Sequence, residues 1–181
     1  MRDERFSIRL ADKQDRDTWD AFVKASNDGT IFHTLAFLAY HGNRFKSGEH
    51  HLVIEKAGRI HAVMPCAITE ENGKKVARSP YGASYGGPVF TKPQNYEDAH
   101  NTVSAMLTYL VSLGVSEAIF TLPPRICSLT HSDTFRLVLI EHGFDCTNRD
   151  IESTVCLHNH YSEYAEWMQR RSRIERKTRK A

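Results

Sequence analysis

From residue 50 onward the hydrophobic pattern of this chain changes to period two and keeps it through three short runs. His51-Leu-Val-Ile-Glu55 and Ile60-His-Ala-Val-Met64 are β-type segments separated by Lys56-Ala-Gly-Arg59, which reads as a hairpin turn. Pro65 closes or bulges the second segment, or places it at a sheet edge, with Cys66-Ala-Ile-Thr69 continuing it. Glu70-Glu-Asn-Gly-Lys74 forms a further turn, and Lys75-Val-Ala-Arg78 starts the next strand.

One strand and two helices are predicted before that run. Phe6-Ser-Ile-Arg-Leu10 alternates apolar and polar side chains. The helix after it is capped by Asp15 or Asp17 and places Trp19, Phe22 and Val23 on one apolar face; Asn27-Asp-Gly29 ends it with residues that tolerate a left-handed backbone. A second helix is predicted over 34–42, with Leu35, Leu38 and Ala39 on one side. After the run, the segment 79–88 holds three glycines, two prolines and two tyrosines and is a loop. The pattern then predicts a long helix over 96–113 stopped by Gly114, a strand over 116–122, a helix over 132–142 stopped by Gly143, a strand over 154–157 and a final helix from Tyr161. The order is β-α-α-β-β-β-α-β-α-β followed by a basic helix.

A length of 181 residues suits one domain with one substantial core. The 24 Lys+Arg and 22 Asp+Glu are unevenly placed: seven basic residues and one acid lie between Arg170 and Lys180, leaving 17 basic and 21 acidic residues in the rest. The alkaline balance therefore belongs to the tail. No apolar run approaches the ~18 residues of a membrane span, and the mixed-charge start Met1-Arg-Asp-Glu-Arg5 is unlike a secretion signal. The expectation is a cytoplasmic protein. Cys66, Cys127, Cys146 and Cys156 form no Cys-x-x-Cys pair and read as buried free thiols.

The element order matches the GNAT acyltransferase fold. The segments Trp19-Asp-Ala-Phe-Val23, Gly29-Thr-Ile-Phe-His-Thr-Leu-Ala-Phe-Leu38, Tyr40-His-Gly-Asn-Arg-Phe45, Ile60-His-Ala-Val-Met-Pro65 and Tyr85-Gly-Gly-Pro88 resemble the N-terminal domain of FemAB-like proteins, GNAT-related transferases that commonly carry two such domains. The resemblance implies an α+β, three-layer GNAT-like domain over residues 1–160, with a mixed, mostly antiparallel sheet between helices. It also implies a basic helical extension over 161–181, like the stretch that leads into a second domain in that family. A second GNAT-like domain or subunit is therefore an expected partner, with acyl-CoA or aminoacyl-tRNA as the candidate donor and tRNA as a candidate contact of the tail.

No catalytic residue is assigned from the sequence. GNAT enzymes that use acetyl-CoA hold its pyrophosphate in a loop of the form Arg/Gln-x-x-Gly-x-Gly/Ala. Here Arg78-Ser-Pro-Tyr-Gly-Ala83 has Tyr81 in place of the first glycine, so no cofactor site is assigned either. The substrate-binding candidates are Tyr81, Gly82, Ser84, Tyr85, Gly86 and Gly87; the other reading of their loop is a tight strand connection whose glycines serve backbone geometry. Amide-forming transfer needs a base to free an amine and a donor to the leaving group, and Glu55, His61, Tyr81 and Tyr85 are of those types. His33, His41 and Arg44 lie where some FemAB-like proteins place a basic group facing an anionic substrate; a helix cap and exposed charge is the favoured reading. His50-His51 and His158-x-His160 do not make up a zinc ligand set. The basic tail reads as a solvated helix end, a nucleic-acid contact or an interdomain connector. Two functions follow: an acyl or aminoacyl transferase domain incomplete by itself, or a non-catalytic binding module whose tail contacts RNA, anionic lipid or a protein.

Overall fold

A computed structural model of the chain describes residues 6–150. Strand β1 (Phe6–Leu10) leads into helix α1 (Lys13–Ala25). The cap is Asp12, three residues before the expected Asp15, because the two aspartates form a reciprocal capping box: Asp12 accepts from the Asp15 N–H and Asp15 from the Asp12 N–H. The end of α1 also differs from expectation. Ser26 stays in the extended region and its hydroxyl donates to the Val23 carbonyl at 2.5 Å, so no left-handed residue closes the helix.

The helix expected over 34–42 is present with Thr34 as its cap, but it changes from α to 3-10 geometry partway, and a further turn precedes it. A 3-10 turn at Ile31–His33, one α-helical turn α2 (Leu35–Leu38) and a second 3-10 turn at Ala39–His41 follow one another. Thr30 and Thr34 both cap with their hydroxyls from an extended backbone, which separates the turn at Ile31–His33 from the helical stretch after Thr34, and Gly42 at φ +58° ends that stretch.

Strands β2 (Leu52–Lys56), β3 (Arg59–Met64), β4 (Ala67–Glu71) and β5 (Lys74–Ser79) realise the period-two run. Their two-residue turns, Ala57-Gly58 and Asn72-Gly73, have positive φ throughout, the geometry that matches strand twist. Pro65 does more than close a strand, because β3 and β4 belong to different sheets. A two-residue strand, β6 (Val89–Phe90), follows the glycine loop and is too short to show a period in sequence. Helix α3 (Tyr96–Ser112), strand β7 (Val115–Phe120), a 3-10 turn at Arg125–Cys127 and helix α4 (Thr134–Glu141) complete the described elements. The strand expected over 154–157 and the basic helix from Tyr161 lie outside the described residues.

One sheet has the order β1-β2-β3-β6, all antiparallel; the other has the order β4-β5-β7, with β5 and β7 parallel. The segment just before β2 spans both: Glu49 bridges Ala67, the His50 N–H donates to the Cys66 carbonyl and the Ile68 N–H to the Gly48 carbonyl. Alternation along β2 sends Val53 to Trp19 and Val23 of α1, and Leu52 to Met106 and Leu110 of α3. Helices therefore cover both faces. Trp19, 1% exposed, donates its indole N–H to the His33 carbonyl at 2.8 Å, tying α1 to the first 3-10 turn. Of the cysteines, Cys66 is buried, Cys127 is half-buried and Cys146 is exposed, so burial holds for only one of these three.

Candidate active site

The two sheets part where the chain passes from β3 to β4, and chemically reactive side chains collect there. Alternation puts Glu49 and His51 on the α1 side, whereas His50 turns to the other face and meets the Tyr109 hydroxyl of α3 at 2.9 Å. His50 and His51 thus point apart and cannot share a metal ion. From the end of β5, Tyr81 reaches the same place: its hydroxyl lies 3.3 Å from His51 Nε2 and 3.4 Å from Glu49 Oε1. A cleft of about 450 Å³ opens in front of them. Leu35, Leu38 and Ala39 form its apolar wall, Gly42 and Asn43 part of its rim, and Arg16, Lys46, Glu49 and His51 its polar lining.

Burial fixes the charge states of this group. Desolvation pushes His51 down to about 4, helped by the charge of Arg16, so the ring is neutral at physiological pH. The same burial, with the adjacent Glu49, raises the Tyr81 hydroxyl well above the ordinary tyrosine range. Tyr81 therefore keeps its proton. With His51 donating from Nε2 to the Tyr81 oxygen, Tyr81 donates to Glu49, which leaves His51 Nδ1 as a buried acceptor without a partner. Glu49 is half-buried and has its carboxylate held from one side only, the chemistry of a proton acceptor facing a cleft.

The six loop candidates are dispersed. Tyr81 is buried with Leu38 and Ala67 and touches the cleft through Glu49 and His51. Gly82 and Ser84 are exposed; the Gly82 carbonyl accepts from the Tyr40 hydroxyl, and His41 and Phe45 occupy the space beside its Cα. Tyr85 packs edge-on against Phe32. Gly86 and Gly87 are buried: the Gly86 N–H donates to the Thr121 carbonyl and the Gly87 N–H to the Ser79 hydroxyl, each at 2.8 Å.

Among the other types singled out, Glu55 is bound to Arg9, which also binds Asp15 of α1. His61 sits edge-on between Phe6 and Phe90. His33 is fully buried, its Nδ1 accepting from the Thr30 N–H at 3.1 Å, so it serves the turn. The His41 ring lies against Tyr40 and Phe45, and Arg44 lies over the Phe45 ring. His158 and His160 lie outside the described residues, and no metal-binding cluster is present among those described. Glu49, His51, Arg16 and Lys46 were not singled out for catalysis. The signal for two of them was the spacing of Glu49 and His51, two apart at the start of a strand.

The fold class implies coenzyme A on the connection from β5 to α3, and the residues there do not fit it. Two of the loop's N–H groups are used by Thr121 and Ser79, as above. At the N-terminus of α3, Asn95 accepts the Asp98 N–H, and the first turn carries Glu97 and Asp98, whose charge opposes a pyrophosphate. Lys56 is held by Asp98 at 2.6 Å.

No protein-family model matches the sequence, and no curated protein matches it. Solved structures do. The aminoglycoside N-acetyltransferase AAC(6')-Iy, in complex with a CoA-containing bisubstrate analogue, matches with a TM-score of 0.50 at 18% identity, over 83% of this chain and 98% of its own. A predicted acetyltransferase with acetyl-CoA from Clostridium acetobutylicum matches at 14% identity over 86% of this chain and 99% of its own, with a TM-score of 0.48. Glucosamine-6-phosphate N-acetyltransferase from Arabidopsis thaliana matches at 16% identity, over 85% and 99%, with a TM-score of 0.44. Identities this low speak to architecture alone. Residues 6–150, one antiparallel and one mixed sheet between helices, have the α+β fold of the GNAT acetyltransferases.

Proposed function

We propose that this chain is an acceptor-binding domain of an N-acyltransferase of FemAB-like type, in which an amine lies in the Arg16–His51 cleft and the donor is held by a second GNAT-like domain or subunit. The observation that carries this reading is the Glu49–Tyr81–His51 group at the back of the cleft. In transfer, the amine nitrogen forms a bond to the acyl carbon, the bond from that carbon to its leaving group breaks, and the nitrogen loses a proton. Glu49 is the acceptor of that proton. Tyr81 and His51 are positioning residues that hold the Glu49 carboxylate. The domain boundaries follow the same reading, with residues 1–160 as the acceptor domain and 161–181 as the connector that could also meet tRNA.

The closed connection between β5 and α3 favours a second reading, a GNAT-fold binding module without catalysis whose tail contacts RNA, anionic lipid or a protein. Assaying the purified chain with acyl-CoA or aminoacyl-tRNA and candidate amines separates the two, first alone and then with any GNAT-like domain encoded beside or after it. Transfer is expected only in combination, and Glu49→Gln is expected to lower it by about 100-fold or more. Transfer by the chain alone would overturn the division of labour. Absence of transfer in both arms, with RNA binding that weakens steeply with salt and is lost on removing residues 170–181, would establish the binding module.

A further inference from the structure

The cleft is polarised by depth. His51 is 1% exposed at its back, Glu49 is half-buried, and Arg16 and Lys46 are exposed at its opening. The two cations come from different elements, α1 and the turn after Gly42, yet converge on one cavity. Neither is paired with the carboxylate beside it: Glu49 engages the Tyr81 hydroxyl, and among the described residues Arg16, Lys46 and Glu49 form no ion pair. With His51 neutral, the opening keeps a net positive charge while the interior offers an anion and apolar walls. A volume of about 450 Å³ suits a small molecule or the end of a chain.

Building on the acceptor reading above, we infer that the cleft takes a small primary amine that also carries an acidic group, a carboxylate or a phosphate. The amine turns inward to Glu49 and the acid is held outward by Arg16 and Lys46. Arg16 offers a planar fork of donors that matches either acid, and Lys46 adds a point charge. This orientation presents the nitrogen at the proton acceptor and leaves the acid in water at the rim, where its desolvation is small.

Calorimetric titration of the whole chain tests this without any acyl donor. The probe pairs are γ-aminobutyrate against n-butylamine, and phosphoethanolamine against ethanolamine; the pair with the larger difference identifies the acid. The acid-bearing member of at least one pair is expected to bind about tenfold more tightly at low salt, and the difference to shrink as salt is raised. Arg16→Gln with Lys46→Gln should erase the difference, and Lys13→Gln, an exposed cation of α1 outside the cleft, should leave it unchanged. All three positions are exposed, so unchanged melting temperatures are expected. Equal affinities within both pairs, no binding of any probe, or a preference that survives the double variant would each overturn the inference. An acid preference that responds to the variants, found in a chain that transfers nothing with any donor or partner, supports it while removing the acyltransferase reading.

Discussion

Gly86 and Gly82 belong to one loop but are glycines for different reasons. A methyl group on Gly86 would overlap the Ser79 and Pro80 backbone, which cannot move without breaking the Thr121 contact; on Gly82 it would meet the ends of the His41 and Phe45 side chains, which can swing aside. Gly82 also has φ +62°, so its alanine variant carries a backbone penalty as well. Gly86→Ala is expected to destabilise by about 3 kcal/mol or more and Gly82→Ala by about 1–2 kcal/mol in urea unfolding. Asp28 gives a pH-dependent test. Burial raises its carboxyl to about 6 from 3.8, so its contribution favours folding at low pH and is lost as pH rises across that interval. Asp28→Asn keeps an acceptor for the Phe90 N–H while removing the charge. It should raise the melting temperature near about pH 8 and have no effect below about pH 4. Residue type made Tyr81 legible in the sequence as a chemical group. Glu49 and His51 carried only the spacing that puts them on one face, because their role depends on a cleft made by α1 and α2, which no local pattern encodes.

Elements with strong periods were easy to read, and those set by side-chain caps were not. The α3 pattern survives almost residue for residue because Met106 and Leu110 face the strands while Val103 packs with Val138 and Leu139 of α4. The helix over 34–42 was legible in its bounds but not in its tightening to 3-10 geometry at Ala39–His41, and β6 was invisible because its two residues are ordered by distant partners. One such partner is the turn after α1. The Asn27 N–H donates to the Phe90 carbonyl, its side chain exchanges two hydrogen bonds with Thr130, and its carbonyl accepts from Leu129. Asn27→Ala removes only the side-chain pair, so amide exchange at Thr130 should accelerate by about tenfold while Leu129 changes less. Asn95→Ala, by removing the cap of α3, should cost about 1 kcal/mol.

At the scale of the molecule, buried histidines dominate the response to acid. His51 is lowered to about 4 from 6.5, and His33, His50 and His61 are lowered too, in each case chiefly by burial. Each contributes stability that is present above 6.5 and lost as pH falls through its folded-state value; Asp28 works in the opposite sense. Four groups outweigh one, so the melting temperature should drop as pH falls from about 6.5 to about 4, with His51→Gln giving a shallower slope. A rise over that interval would mean that these rings are not buried in solution.

The parallel pairing of β5 with β7 also bears on how the chain is made. The sheet β1-β2-β3-β6 is complete once Phe90 has been synthesised, whereas β5 must wait for α3 and then β7, some 40 residues later in the chain. During that interval on the ribosome, β5 is paired with β4 on one side and presents an unpaired edge on the other. Protecting that edge from other nascent strands is then a task for the speed with which α3 forms.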